Sequence, residues 1–219
     1  MKYGIITAME IEATLLRGRL QDVKTCTSQG VTFWQGKLGD NEIMLMVSGV
    51  GKVNAAVHTQ IFLDTFQLDA LFLSGIAGSL DPTAKHLSVV VAKEFAYHDL
   101  WAVIKGGRYY QDAYSTDPAL SDRLLKNAGN AQYGLILTGD QFIADAATKN
   151  ALKKEFPKAL AVEMEGCAVA QVAAAHHVPF AAMRCISDMA DDNADETYEG
   201  FEGKAADHSA SILLKALSE

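Results

Sequence analysis

"ALAVEMEGCAVAQVAAAHH", residues 159–177, decides how this chain folds. Ala159 to Val162 read as a short buried strand, and an alanine-rich helix begins near Met164. A strand that feeds directly into a helix is the building unit of an α/β domain. At the junction Glu163 and Glu165 straddle Met164, although carboxylates are almost never fully buried unless paired. Acids in a first turn gain about 0.3–1 kcal/mol from the helix dipole, so one reading makes both of them helix-start residues. Two residues apart, they share one face of a strand but point to different sides of a helix. The second reading therefore has only one of them facing a site.

Outward from this junction the same alternation continues. "KYGIITA" (2–8) reads as a strand and "EIEATLLRGRL" (10–20) as a helix. "TFWQGKL" (32–38) and "EIMLMVSGV" (42–50) read as strands flanking a Gly39-Asp40-Asn41 turn. "KVNAAVHTQIFLDTF" (52–66) has helical spacing, and "LDALFLSGIAG" (68–78) is a buried strand running into a glycine turn. Strand "HLSVVVAKEFAYHD" (86–99) precedes helix "DPALSDRLLKNAG" (117–129), with Pro118 at its first position. "QYGLILTGDQFI" (132–143) is strand into loop, "ATKNALKKEF" (147–156) helix, "PFAAMRCISDMA" (179–190) strand into loop, and a last helix covers about 198–217. The expected fold class is α/β: one domain over 1–219, three α/β/α layers around a mixed, largely parallel twisted sheet. The least regular stretch, "WAVIKGGRYYQDAYST" (101–116), is expected to form a mobile or substrate-covering loop.

Composition narrows the function. The chain has 219 residues, 49% of them apolar, which suffices to bury a large core. Its 19 basic and 27 acidic residues leave a net charge of −8 with no basic run, which argues against nucleic acid or an anionic membrane as partner. No signal or membrane segment stands out, and a cytoplasmic location is expected. Cys26, Cys167 and Cys185 lack CxxC spacing, and His176 and His177 are adjacent rather than one turn apart, so neither a disulfide framework nor a metal site is indicated. Gly49-Val50-Gly51 lacks the third glycine and downstream acid of a dinucleotide fingerprint, and Lys52 lacks a Walker A frame. A small-molecule ligand remains.

In such folds ligands gather outside the carboxyl ends of the strands. Those ends carry Met9 and Glu12; Gly75, Ile76, Ala77 and Gly78; Phe142 and Ile143; Met164 and Glu165; and Arg184, Ser187 and Asp188. One crevice would then hold three acids, one arginine, two glycine turns and two soft apolar surfaces. Asp188 opens the acidic tract "DMADDNADE", but it alone follows a strand directly, so it is the acid expected to face inward.

"GIITAMEIEATLL", "SGVGKVNAA", "SGIAGSL", "GDQFI", "VEMEGCAVA" and "RCISDMAD" resemble, in order and spacing, the 5′-methylthioadenosine/S-adenosylhomocysteine nucleosidases of the nucleoside phosphorylase superfamily. The resemblance implies a homodimer, no cofactor, and hydrolysis of the adenine–ribose bond of thioether nucleosides, with 5′-deoxyadenosine a further candidate substrate. Position by position, it makes Asp188 the acid facing adenine, with Ser187 orienting it; Glu12 the group that activates water; and Arg184 the arginine that helps hold that water. Glu165 with Met164 would take the ribose and Glu163 would have a capping role. Phe142 would stack on adenine and the backbone of Ile143 would meet the purine edge. Met9, Ile76, Ala77, Gly78 and Tyr198 would complete the binding wall, with Tyr198 where a phenylalanine covers the 5′ end. Two places depart from the family pattern. Ile76 stands where the glycine turn usually has serine, and the segment 100–116, bordering the 5′ pocket, differs from the usual loop. Two alternatives stay open: a purine nucleoside phosphorylase on the same fold, and a non-catalytic adenine-nucleoside-binding protein.

These residue types suit the reaction on physical grounds. Breaking an N-glycosidic bond leaves cationic character on the sugar and negative charge on the departing base. A normal aspartate, pKa about 3.9, is about three units from being neutral at pH 7, equivalent to roughly 4 kcal/mol. Burial beside Glu12 and Glu165 is expected to raise Asp188, and Arg184 to oppose the shift if close.

Overall fold

Every residue of Ala70–Ser79 and of Phe180–Asp188 is buried, a condition met by strands covered with helices on both faces. The computed structural model describes residues 1–104, 107–110 and 113–218. Its elements begin with β1 (Lys2–Thr7), α1 (Glu10–Arg19), β2 (Gln21–Ser28), β3 (Val31–Leu38), β4 (Asn41–Val47) and α2 (Lys52–Thr65). Then come β5 (Ala70–Ser79), β6 (Val89–Tyr97), β7 (Trp101–Ile104), β8 (Gly107–Tyr110), β9 (Tyr114–Ser115) and α3 (Pro118–Ala128). The chain continues with β10 (Gln132–Thr138), α4 (Ala146–Glu155), β11 (Ala159–Glu163), α5 (Gly166–Ala175), β12 (Phe180–Asp188) and α6 (Ala194–Ser218).

The main sheet has ten strands in the order β11-β10-β6-β12-β5-β1-β4-β3-β2, with β9 added on β6. Pairings of β1 with β4 and β5, of β10 with β6 and β11, and of β12 with β5 are parallel; β2–β3, β3–β4, β6–β12 and β6–β9 are antiparallel. Strand β11 also pairs with β5, Val162 opposite Gly78, so one half of the sheet closes on itself. Phe62 of α2 and Cys167 to Ala170 of α5 pack on one side, while Leu16 of α1, Leu124 of α3 and Leu213 of α6 pack on the other. These are the three layers expected.

Several local expectations are corrected. The glycines of β5 do not form a turn; the strand runs through them and pairs with β12 from Leu71 to Gly78. An unanticipated strand, β2, lies at the sheet edge with its first five residues exposed, and a run without apolar alternation carries no strand signal. The stretch 101–116 is less irregular than expected: β7 and β8 form a two-stranded hairpin and β9 joins β6. Residues 105, 106, 111 and 112 lie outside the described ones, and so does the expectation of a covering loop there. Helix α6 starts at Ala194, four residues before the expected boundary, taking Asp195 and Glu196 into its first turn. Pro118 takes the first position of α3, as the sequence indicates, and Asp117 before it caps the helix through Leu120 N–H at 2.9 Å. No described helix is long and apolar enough to cross a membrane.

Candidate active site

The carboxyl ends of β1, β5, β11 and β12 surround a cavity of about 360 Å³. Met9, Glu12, Ile76, Ala77 and Gly78 line one side of it; Glu163, Met164, Glu165, Ser187 and Asp188 line another. Phe142 and Tyr198 stand at its rim, with ring centroids 5.5 Å apart in an edge-on contact. Two sequence candidates lie outside this lining. Ile143 is buried in a small cluster with Leu80 and Ala190, and Arg184 is fully enclosed beneath the acids.

Arg184 organises the floor. Its Nη2 pairs with Glu163 Oε2 and, at 3.3 Å, with Glu165 Oε2. Glu163 also accepts hydrogen bonds from Thr138 Oγ1, from Glu165 N–H at 3.1 Å and from Gly166 N–H at 2.8 Å. It therefore caps α5 from outside the helix, while Glu165 occupies the N-cap position and sends its carboxylate to Gly51 N–H at 2.9 Å. Both acids of the opening stretch line the cavity, so the expectation that only one faces the site is corrected. Strand geometry up to Glu163 and the sharp turn into α5 bring both round to Arg184.

Glu12 is the third residue of α1, and its side chain folds back over the helix start. Oε2 accepts from Ala8 and Met9 N–H at 2.8 and 3.0 Å, and Oε1 from Ile76 N–H at 3.0 Å. Gly75 makes this possible, because a Cβ there would lie 2.5 Å from Glu12 Oε1 and would collide with Arg184. Burial raises the Glu12 pKa against the pull of Arg184 and the three N–H donors. Glu165 is raised as well, first by burial and then by Glu163, with Arg184 opposing. Burial works against the charge on Arg184, but Glu163, Glu165 and Glu12 outweigh it and hold the guanidinium charged.

Asp188 stands apart from that cluster. The β5–β12 register slips at Ser187, so that Ile186 faces Ala77 while Asp188 faces Gly78. Such a bulge re-aims a side chain, and here it turns the carboxyl into the cavity. Gly78 leaves the space, since a Cβ there would sit 2.8 Å from Asp188 Oδ1. Ser187 Oγ donates to Oδ2 at 2.8 Å, and Ala190 N–H to Oδ1 at 2.9 Å. Burial raises the Asp188 pKa, whereas Ala190 N–H, Ser187 and His86 oppose the rise. The like charge that adds to it is Asp191, in place of the expected Glu12 and Glu165.

The rim is softer. Tyr198 Oη donates to Met9 Sδ at 3.4 Å, and the Ile76 side chain packs with Cys185, Ala205 and Ala206. Sequence reasoning missed Ala8, Val50, Val162 and Asp195, which also line the cavity. Asp195 lies in the first turn of α6, before the helix boundary that the sequence indicates, so no strand end points to it. The Gly51 N–H that holds Glu165 carries no sequence signal, because a backbone donor reaching a residue 114 positions away depends on the fold alone.

A family model described as the phosphorylase superfamily matches residues 2–218. A 5′-methylthioadenosine/S-adenosylhomocysteine nucleosidase from Staphylococcus epidermidis is 36% identical over 226 residues, covering 98% of this chain and 99% of that protein. The solved S-adenosylhomocysteine nucleosidase from Streptococcus pyogenes, in complex with 5-methylthiotubericidin, superposes with a TM-score of 0.95 at 36% identity, covering 100% of this chain and 96% of that one. The nucleosidase from Neisseria meningitidis, in complex with methylthio-immucillin-A, gives 0.94 at 32% identity over 99% and 98% of the two chains. The chain thus belongs to the phosphorylase superfamily and, within it, to the 5′-methylthioadenosine/S-adenosylhomocysteine nucleosidase family.

Proposed function

We propose that this protein, working as one domain over residues 1–219, hydrolyses the adenine–ribose bond of 5′-methylthioadenosine and S-adenosylhomocysteine. The observation that carries the reading is the separation of acids within one cavity: three gathered on Arg184, and Asp188 held alone by a hydroxyl and an N–H. In this reading the bond between C1′ and the purine nitrogen breaks as Asp188 gives its proton to the imidazole nitrogen of the base, so adenine leaves uncharged. Glu12 takes a proton from the water whose oxygen bonds to C1′. Arg184 supports that step indirectly: it neutralises the floor, and its Nε–H, which has no protein acceptor among the described residues, is free to hold water. Glu165 takes the ribose hydroxyls, and Phe142 and Met164 supply apolar surface for the base and the sugar.

Phosphorolysis is disfavoured by the same floor. A phosphate oxygen 4 Å from the Glu12 carboxylate meets a repulsion of about 1 kcal/mol or more even in bulk water, and the arginine beneath that floor is already shared among three acids. Ile76, an apolar residue lining the cavity where the family pattern has serine, is the feature that favours a binding protein without turnover. We infer a homodimer from the exposed Val50, Val53 and Val57 beside the cavity mouth, an apolar stripe that a second copy would cover.

Free adenine measured from a panel of 5′-substituted adenosines, with and without phosphate, tests the reading. Adenine release from both thioether nucleosides in phosphate-free buffer is the expected result. Release only with phosphate, or nucleoside binding without release, would replace it by one of the two alternatives.

A further inference from the structure

The two segments that would contact the purine are joined to each other outside the cavity. Phe142 lies between β10 and α4, and Asp188 ends β12, followed by residues 189–193 before α6. Lys149 of α4 donates from Nζ to the carbonyl oxygen of Met189, and Asp192 accepts from Ala146 N–H, at the start of α4, at 3.0 Å. Between these two attachments Ala190 has φ +48°, a left-handed conformation that an alanine rarely adopts. The methyl group of Ala190 is fully buried with Leu80 and Ile143.

The Met189 carbonyl and the Ala190 N–H belong to one planar peptide group. Lys149 holds its oxygen, and Asp188 Oδ1 accepts from its N–H at 2.9 Å. That peptide is therefore gripped at both ends, and rotating it out of plane with the site would break both bonds at once. With Ser187 on the other carboxyl oxygen, the Asp188 carboxyl cannot turn out of its present plane without losing a donor.

We propose that Lys149 is a positioning residue for the proton donor: by holding the Met189 carbonyl it locks the 189–190 peptide, and with it the aim of the Asp188 carboxyl into the cavity. This rests on the reading of Asp188 as the general acid. A misaimed acid slows the chemical step and leaves substrate binding, made by other residues, almost untouched.

The test is steady-state hydrolysis of 5′-methylthioadenosine by Lys149→Met and Lys149→Arg, with Asp188→Asn in parallel. Lys149→Met should lower kcat about tenfold with KM within about twofold, the signature of a lost orientation rather than lost binding. Lys149→Arg, which keeps a donor for the carbonyl, should recover most of the loss. A Lys149→Met enzyme with undiminished kcat, or an arginine variant no better than the methionine one, would overturn the proposal. If Lys149→Met does not fold, Lys149→Ala decides: it removes the same donor from α4, so kcat should fall about tenfold with KM within about twofold, and unchanged kcat would overturn the proposal. Full turnover in Asp188→Asn would instead overturn the reading of the acid itself, and this positioning role with it.

Discussion

The floor of the cavity and its wall hold carboxylates that are equally buried yet differently placed. Glu12, Glu163 and Glu165 are 3%, 6% and 4% exposed, and Asp188 is 1% exposed, so burial alone cannot separate their roles. The cation does. Arg184, which is inaccessible to solvent, collects the three glutamates, while Asp188 has only a hydroxyl and one amide N–H. Burial raises Glu12 and Glu165 as it raises Asp188, but Arg184 pulls the two glutamates back down and is not among the groups that act on Asp188. Within one cavity of about 360 Å³, the placement of a single arginine thus separates acids whose rise it opposes from an acid whose rise it leaves to a hydroxyl and an N–H.

The largest expected effect comes from removing the cation. Arg184→Met leaves three carboxylates uncompensated around an apolar stem, and breaking a buried ion pair this way costs about 3–5 kcal/mol, a large share of the usual 5–15 kcal/mol. Denaturant unfolding measures it, and an unchanged midpoint would break the comparison at its base. On the wall, Asp188→Asn should lower kcat about 10²-fold or more without such a loss of stability. The pKa of Asp188 is raised in the folded state, so its contribution to stability is fully present below the unfolded pKa and is lost as pH rises through the folded one. The asparagine variant escapes that loss, and unfolding curves should show it at least as stable as the parent at neutral pH, with the difference closing in acid.

Glu12→Gln sharpens the distinction between the two regions. It should lower kcat by about 10²-fold, the scale of general base catalysis, with KM nearly unchanged; equal losses of affinity and turnover would make Glu12 a structural residue only. The smallest effect belongs to the rim. Phe142 is 46% exposed, so Phe142→Ala should leave stability within about 0.5 kcal/mol while raising KM about tenfold, within the roughly 1–3 kcal/mol that stacking on a base supplies.

Much of this was legible in the sequence because it depends on strand ends. Helices α1 to α5 and most of the central strands follow from apolar periodicity and from signals such as Asp117-Pro118. The rule that ligands collect at carboxyl ends brought Glu12, Glu165 and Asp188 toward one crevice, and all three line the cavity. What stayed hidden depends on contacts between distant residues. That Gly75 makes room for Glu12 and Arg184, rather than forming a turn, depends on a strand pairing 109 positions away, Gly75 with Arg184. The bulge at Ser187 and the left-handed Ala190 leave no periodic trace. The edge strand β2 is exposed and polar, so tertiary pairing with β3, rather than local preference, makes it a strand.

The protonation of Asp188 is the claim on which the division of roles stands, and carboxyl carbon-13 NMR of the ligand-free protein reads it directly, with the Asp188→Asn variant identifying the resonance. An inflection clearly above the usual aspartate value of about 3.9 is the predicted result. An inflection at or below that value, in a folded protein, would contradict the account.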